Sequence, residues 1–284
     1  MTGSLPKLAL IAGPTASGKS ALALALAEKH NGTIINADAS QVYRDLRILS
    51  ARPTPDEEAR VPHVLFGHRD GADSCSAADW AAEARAAIAD AHAAGRLPIL
   101  VGGTGLYVRT LLDGIAPIPP IDPVIREDVR ARSAADTYAL LTQEDPVAAA
   151  RLHPNDTTRL QRALEVIRSS GRSILDWREA RVGGLRHAVA LDVQKILLPT
   201  AELYARCDAR VDAMMVAGAL EEVVALLDRE LGPELPVMRA IGVAQLSSYI
   251  KGLCKLGDAV VAIKQATRNY AKRQGTWLRH QQLS

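Results

Sequence analysis

Gly13-Pro14-Thr15-Ala16-Ser17-Gly18-Lys19-Ser20 decides the fold. It fits GxxxxGK[ST] in full and sits between an apolar run, residues 7–12, and an Ala/Leu-rich stretch from about 18 to 30. A strand before the motif and a helix after it are the context a phosphate-binding P-loop requires. Its glycines let the backbone curl so that successive N–H groups face an anion at a helix N-terminus. Lys19 adds a cation, and the Ser20 hydroxyl is a candidate Mg²⁺ ligand.

Outward from the loop the same alternation continues. Thr33-Ile34-Ile35-Asn36-Ala37 reads as a second buried strand ending at Asp38, and Pro98-Ile99-Leu100-Val101 as a third ending in Gly102-Gly103-Thr104-Gly105. The segment 76–94 between them is helical in pattern, with Ser76 placed to cap its start and Gly95 past its end. Strands alternating with helices predict an α/β fold with a parallel sheet covered on both faces. Ligands of such sheets lie beyond the carboxyl ends of the strands, so the loop, Asp38 and Thr104 are expected at one crevice.

Prolines at 117, 119, 120 and 123 mark a module boundary. From there the pattern turns helical until an apolar strand at 188–198, and helices return over 200–228 and 258–281. The expected organisation is a P-loop α/β catalytic domain of residues 1–116 and 196–284, interrupted by a helical insertion at 117–195.

Composition narrows the functional classes. Of the 284 residues 48% are hydrophobic, enough for a packed core, yet no apolar run reaches the length of a membrane span. The N-terminal run stops at Gly13-Pro14, too soon for a signal-peptide core. Cys75, Cys207 and Cys254 are scattered, which suits a reduced compartment and neither a disulfide framework nor a zinc ribbon. The cytoplasm is the expected location. Charge is uneven: residues 1–115 are nearly balanced, whereas 251–284 hold seven basic residues against Asp258 alone. Such a tail is either a polyanion contact or a solvated helix face.

A P-loop by itself predicts a nucleotide-binding, ATP-binding protein. An ATP-using enzyme needs an acid at a neighbouring strand end to help hold Mg²⁺, and the strand at 98–101 ends instead in Gly-Gly-Thr. The acid at a strand end is Asp38, which reads as a metal ligand, a proton acceptor or a simple turn cap. His63 and His68 read as packing or capping residues. Trp80, Trp177 and Trp277 read as packing anchors, and Glu221 and Glu222 as part of a solvated helix face. Lys264, Arg268 and Lys272 recur every four residues and form one basic row. Arg159 and Arg162 flank a buried stripe of Leu160, Ala163, Leu164 and Ile167.

Taken together, these residues resemble the tRNA dimethylallyltransferase (isopentenyltransferase) family of bacterial type. GPTASGKS at 13–20 is followed by Asp38-Ala39-Ser40-Gln41-Val42-Tyr43, similar to the family's DSxQVY segment. SARP at 50–53, Pro62-His63 and Gly102-Gly103-Thr104-Gly105-Leu106-Tyr107 come next. DPVAAARLHPND at 145–156, the Arg159/Arg162 pair and TRNYAKRQGTWLR at 267–279 complete the order.

The resemblance implies dimethylallyl transfer from dimethylallyl diphosphate to the exocyclic amine of an adenine in tRNA, the one 3′ to the anticodon (position 37). Gly13, Pro14, Thr15, Ala16, Ser17, Gly18, Lys19 and Ser20 would hold the donor's diphosphate, with Mg²⁺ near Ser20. Asp38 would be the general base, Thr104 would touch the reacting nucleotide, and Arg210 would clamp the leaving diphosphate. The tRNA would meet Asp38, Ala39, Ser40, Gln41, Thr104 and Arg126. It would also meet Thr158, Arg159, Leu160, Gln161 and Arg162, and the segment Arg239, Ala240, Ile241, Gly242, Val243 and Ala244. The expected partners are tRNA and the prenyl donor, with no membrane, for a chain acting as a monomer. This chain departs from the family pattern at Ala39, where Ser is usual, at Arg52, where Lys is common, and at Val243-Ala244, where Tyr and a basic residue are frequent. A small-molecule or nucleotide kinase using ATP, and an RNA-binding protein with a regulatory P-loop, are the alternatives from other classes.

Overall fold

The structure is a computed structural model and describes residues 4–283. The chain divides into two compact units, one of residues up to Leu111 together with those from Arg186 onward, the other Leu112–Leu185.

The first unit holds strands β1 (Lys7–Ala12), β2 (Gly32–Asn36), β3 (His63–Val64), β4 (Leu97–Gly102) and β5 (Ala190–Lys195). They form one all-parallel sheet in the order β3-β2-β4-β1-β5. Helices α1 (Lys19–His30), α2 (Pro55–Arg60), α3 (Ala77–Ala93) and α4 (Gly105–Asp113) follow the strands that precede them. The second unit is helical: α5 (Pro123–Arg130), α6 (Ala134–Glu144), α7 (Pro146–Ala150), α8 (Thr157–Ser170) and α9 (Ile174–Glu179). After β5 come α10 (Thr200–Val216), α11 (Ala219–Leu227), a 3₁₀ turn at Pro236–Arg239, α12 (Val243–Ile250) and α13 (Leu256–His280).

The central strands are buried on both sides, which is why they read as continuous apolar runs rather than alternating ones. Leu8, Leu10, Ile11, Ile35, Ile99 and Leu100 are fully enclosed. Each such side chain contributes roughly 1.5–3 kcal/mol by leaving water. The edge strand β5 is only partly buried along its length.

The α/β fold is as expected, and the elements differ from expectation in three places. The helical unit runs from Leu112 to Leu185 rather than 117–195, because β5 hydrogen-bonds along the whole of β1 and so belongs to the sheet. The helical stretch expected over 200–228 breaks at Gly218, whose φ of 101° no helix accommodates. The short α2 went unpredicted although Thr54 and Glu57 form a complete capping box around Pro55.

The tryptophans and histidines pack as read. Trp80 is fully buried, donates to the Asn36 carbonyl (2.8 Å) and stacks on Tyr107 with centroids 4.5 Å apart. Trp177 donates to Ser170 Oγ at 3.1 Å. His63 bonds the Val61 carbonyl, and His68 pairs with Glu83.

Candidate active site

The site is assembled at the carboxyl ends of β1, β2 and β4. After β1 the chain turns through Ala16 (φ 62°) and Gly18 (φ 94°) into α1. Gly18 stands at the N-cap position and provides no side-chain cap, and the first turn of α1 has no acidic residue. The N–H groups that a helix start leaves unsatisfied are therefore turned toward an incoming anion. Lys19 Nζ donates to the Pro14 carbonyl at 2.7 Å, folding the side chain back over the loop. Thr15 N–H donates to Gln274 Oε1 at 2.8 Å, which ties the loop to α13.

Glycines at the end of β4 make the assembly possible. A Cβ on Gly102 would lie 2.1 Å from the Ala37 carbonyl oxygen, and one on Gly103 would lie 2.2 Å from Gln274 Nε2. One on Gly105 would lie 2.3 Å from the Trp277 ring. Three neighbours approach three glycines within four residues, so the strand ends in Gly-Gly-Thr-Gly where an ATP-using enzyme would carry an acid.

Asp38 follows β2 on a tight turn. Its N–H donates to Asn36 Oδ1 (2.8 Å), while Asn36 Nδ2 donates to the carbonyls of Asp38 (3.0 Å) and Leu65 (2.9 Å). Asp38 Oδ1 accepts from Ser40 N–H (3.0 Å) and Ser40 Oγ (2.6 Å). The Asx-type turn fixes the carboxylate's direction, so the turn-cap reading and a chemical role are compatible. The Ala39 N–H donates to Thr104 Oγ1 at 3.0 Å. The departure at Ala39 thus leaves the Thr104 link to the backbone, which any residue supplies.

A cavity of about 370 Å³ brings Thr15, Lys19, Ser20, Asp38 and Arg210 together with Arg239, Ala240 and Ile241. Leu49, Val211, Met214 and Ile263 give it an apolar wall. A second, more open cavity of about 540 Å³ shares Lys19, Ser20 and Arg210 and is walled by residues 16–21 and by Arg206 and Ala209 of α10.

The electrostatics are those of a site built for an anion. Burial, with Arg210 beside it, lowers Lys19 to about 8, although Asp38 and Cys207 pull the other way. Burial likewise lowers Arg210, against the opposing pull of Asp38 and Cys207. Arg210 Nε is enclosed and has no hydrogen-bond partner, as is Ser17 Oγ in the loop. Two desolvated cations sharing one carboxylate are an arrangement that a polyanion relieves.

Sequence reading missed several residues here. Tyr270 lines the cavity, and burial with Asp38 nearby raises its phenol well above the usual value, so it remains a neutral hydroxyl beside Thr104 and Gln274. Tyr270 and Gln274 lay in plain view within TRNYAKRQGTWLR, one helical turn apart. Glu222, read as solvated, accepts from the N–H groups of Arg47 (2.6 Å), Ile48 (2.8 Å) and Leu49 (2.9 Å). It caps the loop that lines the cavity. Gln41 donates to the carbonyls of Ser50 and Ala51, both at 2.9 Å, so its amide N–H groups hold that same loop. Arg52 sits against Gly67, where a Cβ would collide with the guanidinium.

Burial and pairing differ among the residues expected to meet tRNA. Leu160 is fully enclosed in the core of the helical unit with Leu141 and Leu164, so its side chain is withdrawn from any RNA. Val243 is buried to 1%, and a Cβ on Gly242 would lie 2.7 Å from Leu49. Gln161 donates toward the carbonyls of Val129 and Arg130 at the end of α5. Arg162 shares the buried Glu165 with Arg130, while Arg159, Arg126, Thr158, Arg239 and Ala244 are exposed. The basic row of α13 is partly neutralised: Lys264 pairs with Asp212 and Arg268 with Asp208 of α10, leaving Lys272 exposed. Among the described residues no cluster of three His, Cys, Asp or Glu forms a metal cage, and no helix is long and apolar enough to cross a membrane.

Comparison with known proteins agrees with this geometry. Residues 41–281 match the family model described as IPP transferase. A tRNA dimethylallyltransferase of Sphingopyxis alaskensis is 61% identical over 96% of this chain and 90% of its own length, and one of Erythrobacter litoralis is 55% identical over 98% and 90%. Among solved structures, the full-length tRNA isopentenylpyrophosphate transferase of Bacillus halodurans superposes with a TM-score of 0.70 at 35% identity, covering 98% of this chain and 88% of that one. A eukaryotic dimethylallyltransferase acting on tRNA gives 0.84 at 31% identity, covering 96% and 70%. With a family model matched over residues 41–281 and relatives of that name more than half identical along nearly its whole length, the chain belongs to the family of the tRNA dimethylallyltransferases, the IPP transferases.

Proposed function

We propose that the P-loop holds the diphosphate of dimethylallyl diphosphate while Asp38 receives the proton of the attacking adenine amine. The reaction is dimethylallyl transfer to the exocyclic amine of the adenine 3′ to the anticodon (position 37) of tRNA, with release of diphosphate. The observation that carries the assignment is the one cavity that holds Lys19, Ser20 and Arg210 beside Asp38.

As the allylic C–O bond breaks, negative charge grows on the departing diphosphate. The loop N–H groups, Lys19 and Arg210 stabilise that charge where it develops, without reorganising. The new C–N bond forms as the amine approaches the allylic carbon, and its proton passes to Asp38. An adenine amine is a poor nucleophile because its lone pair is shared with the ring, and a positioned base is worth roughly 10²–10⁴-fold. The apolar wall of Leu49, Val211, Met214 and Ile263 keeps water from the cation-like fragment. The neutral Tyr270 hydroxyl and Thr104 stand beside Asp38 to orient the base.

Mg²⁺ fits this site as an ion carried by substrate phosphates. The described residues form no acidic cage, so Ser20 would offer it one oxygen and the phosphates the rest, in keeping with the few ligands Mg²⁺ takes from protein in phosphate-bearing sites. It would supply further neutralisation of the diphosphate. Bringing an adenine to Asp38 means taking it out of its stack, at a cost of a few kcal/mol. Exposed Arg239 at the cavity, with Arg126 and Arg159 of the helical unit, would contact RNA phosphate to offset it. The enzyme works as a monomer in the cytoplasm, where tRNA is modified.

Unmodified tRNA with labelled dimethylallyl diphosphate, and labelled ATP offered in parallel, tests the assignment. Label from the prenyl donor enters tRNA and label from ATP does not. Phosphoryl transfer in place of prenyl transfer would overturn it.

A further inference from the structure

Arg206 and Arg210 lie four residues apart on α10 and so share one helix face, about 6 Å apart along the axis. Both line the open cavity over the P-loop. Ala209, also on that wall, leaves the space between them clear. The Arg206 guanidinium lies 3.8 Å from the point where a side chain on Gly18 would begin. Their surroundings differ. Arg210 is enclosed, with Nε unpartnered, and feels Asp38. Arg206 is half exposed and pairs with Glu202 at 2.8 Å, itself 45% exposed. A surface pair of this kind is weak and is readily exchanged for a stronger anion.

We propose that Arg206 is a second arginine for the donor, engaging the outer phosphate of the diphosphate, and that Glu202 is the carboxylate that competes for it. The inference rests on the P-loop placement of the diphosphate proposed above. Arg210, deep and next to Asp38, faces the phosphate bonded to the allyl group. Arg206, one turn nearer the start of α10 and beside Gly18, reaches the terminal phosphate. An arginine fork suits a phosphate with two free oxygens. With the cavity empty the fork rests on Glu202; with diphosphate bound it turns to the phosphate, and the return of Glu202 eases product release. Arg206 is a binding residue for donor and product.

Inhibition by inorganic pyrophosphate, measured against dimethylallyl diphosphate with saturating tRNA, tests this in Arg206→Gln, Glu202→Gln and the double variant. Arg206→Gln raises the pyrophosphate inhibition constant and the donor KM about tenfold, the loss of one charge-assisted contact, with a much smaller change in kcat. Inorganic monophosphate, which fills only one subsite, separates a local effect from a general loosening: the preference for pyrophosphate over phosphate collapses in Arg206→Gln. Glu202→Gln tightens pyrophosphate inhibition several-fold, and the double variant follows Arg206→Gln. An unchanged inhibition constant in Arg206→Gln, an equal loss of phosphate and pyrophosphate binding, or weaker inhibition in Glu202→Gln overturns the proposal. Lys19→Ala distinguishes the two levels. If it keeps wild-type pyrophosphate inhibition, the P-loop placement is wrong; if it loses inhibition while Arg206→Gln does not, only the Arg206 assignment falls.

Discussion

The loop at 13–20 and the loop at 38–51 face the same cavity, yet they are held in opposite ways. The first is shaped by its own residues: two positive-φ positions, a lysine folded onto its own proline carbonyl, and an uncapped helix start. Among the described residues its remote hydrogen bond is to Gln274. The second adds to its local bonds, those of Asn36, Ser40 and Gln41, four from remote side chains: Glu222 on the N–H groups of residues 47–49 and Thr104 on that of Ala39. A self-shaped loop suits a ligand that is the same in every turnover. A loop held by distant side chains suits a large partner, since small shifts in α11 reach it directly.

The comparison breaks first at chemistry. Asp38→Ala lowers prenyl transfer by about 10²–10⁴-fold while tRNA binding is retained, which a gel-shift assay alongside single-turnover kinetics reads out. Transfer at the wild-type rate would remove Asp38 as the base. Lys19→Ala costs on the order of 10²–10³-fold, with loss of donor binding rather than tRNA binding.

Next comes the hold on the second loop. Glu222→Ala leaves three N–H groups without their acceptor and lowers stability by about 1–3 kcal/mol. Hydrogen exchange speeds up at residues 47–49 and the KM for tRNA rises, while pyrophosphate inhibition stays as in the wild type. An equal loss of pyrophosphate binding would show that the two loops are mechanically one.

A pH series sharpens the contrast further. Lys19 is lowered in the folded chain from its ordinary value to about 8. Between about 8 and the unfolded value the unfolded chain binds more protons, so this group makes stability rise with pH across that window. Pyrophosphate affinity moves the other way, falling as Lys19 loses its charge above about 8. Melting temperature and pyrophosphate affinity therefore diverge over one titration, and Lys19→Met removes both trends.

The smallest effect is expected at Ala39→Ser. The Ala39 N–H already holds Thr104, so the added hydroxyl changes stability by no more than about 0.5 kcal/mol and transfer by a few-fold at most.

Legibility in the sequence follows the same division. The P-loop and three strands were readable because their geometry is dictated by residues next to one another, and Asp38 because it ends an apolar run. The grip of Glu222 was not readable: its partners are backbone N–H groups some 175 positions away in the chain, which carry no residue identity. Arg206 escaped notice because one arginine on an amphipathic helix looks like any other until Gly18 is seen beside it. The segments expected to meet tRNA were read as blocks, and blocks include inward positions; helical periodicity already put Leu160 on the buried stripe while the segment reading placed it outside. The row of Lys264 and Arg268 looked free because its acidic partners belong to α10, a separate helix.

The bond from Thr15 to Gln274 joins a loop to a helix made 259 residues later. While α13 is still inside the exit tunnel, the loop lacks that anchor and Gly103 lacks the side chain that packs over it. A nascent chain therefore carries a phosphate loop without its distant support until α13 has been made, and the loop's motif is complete long before its anchor is.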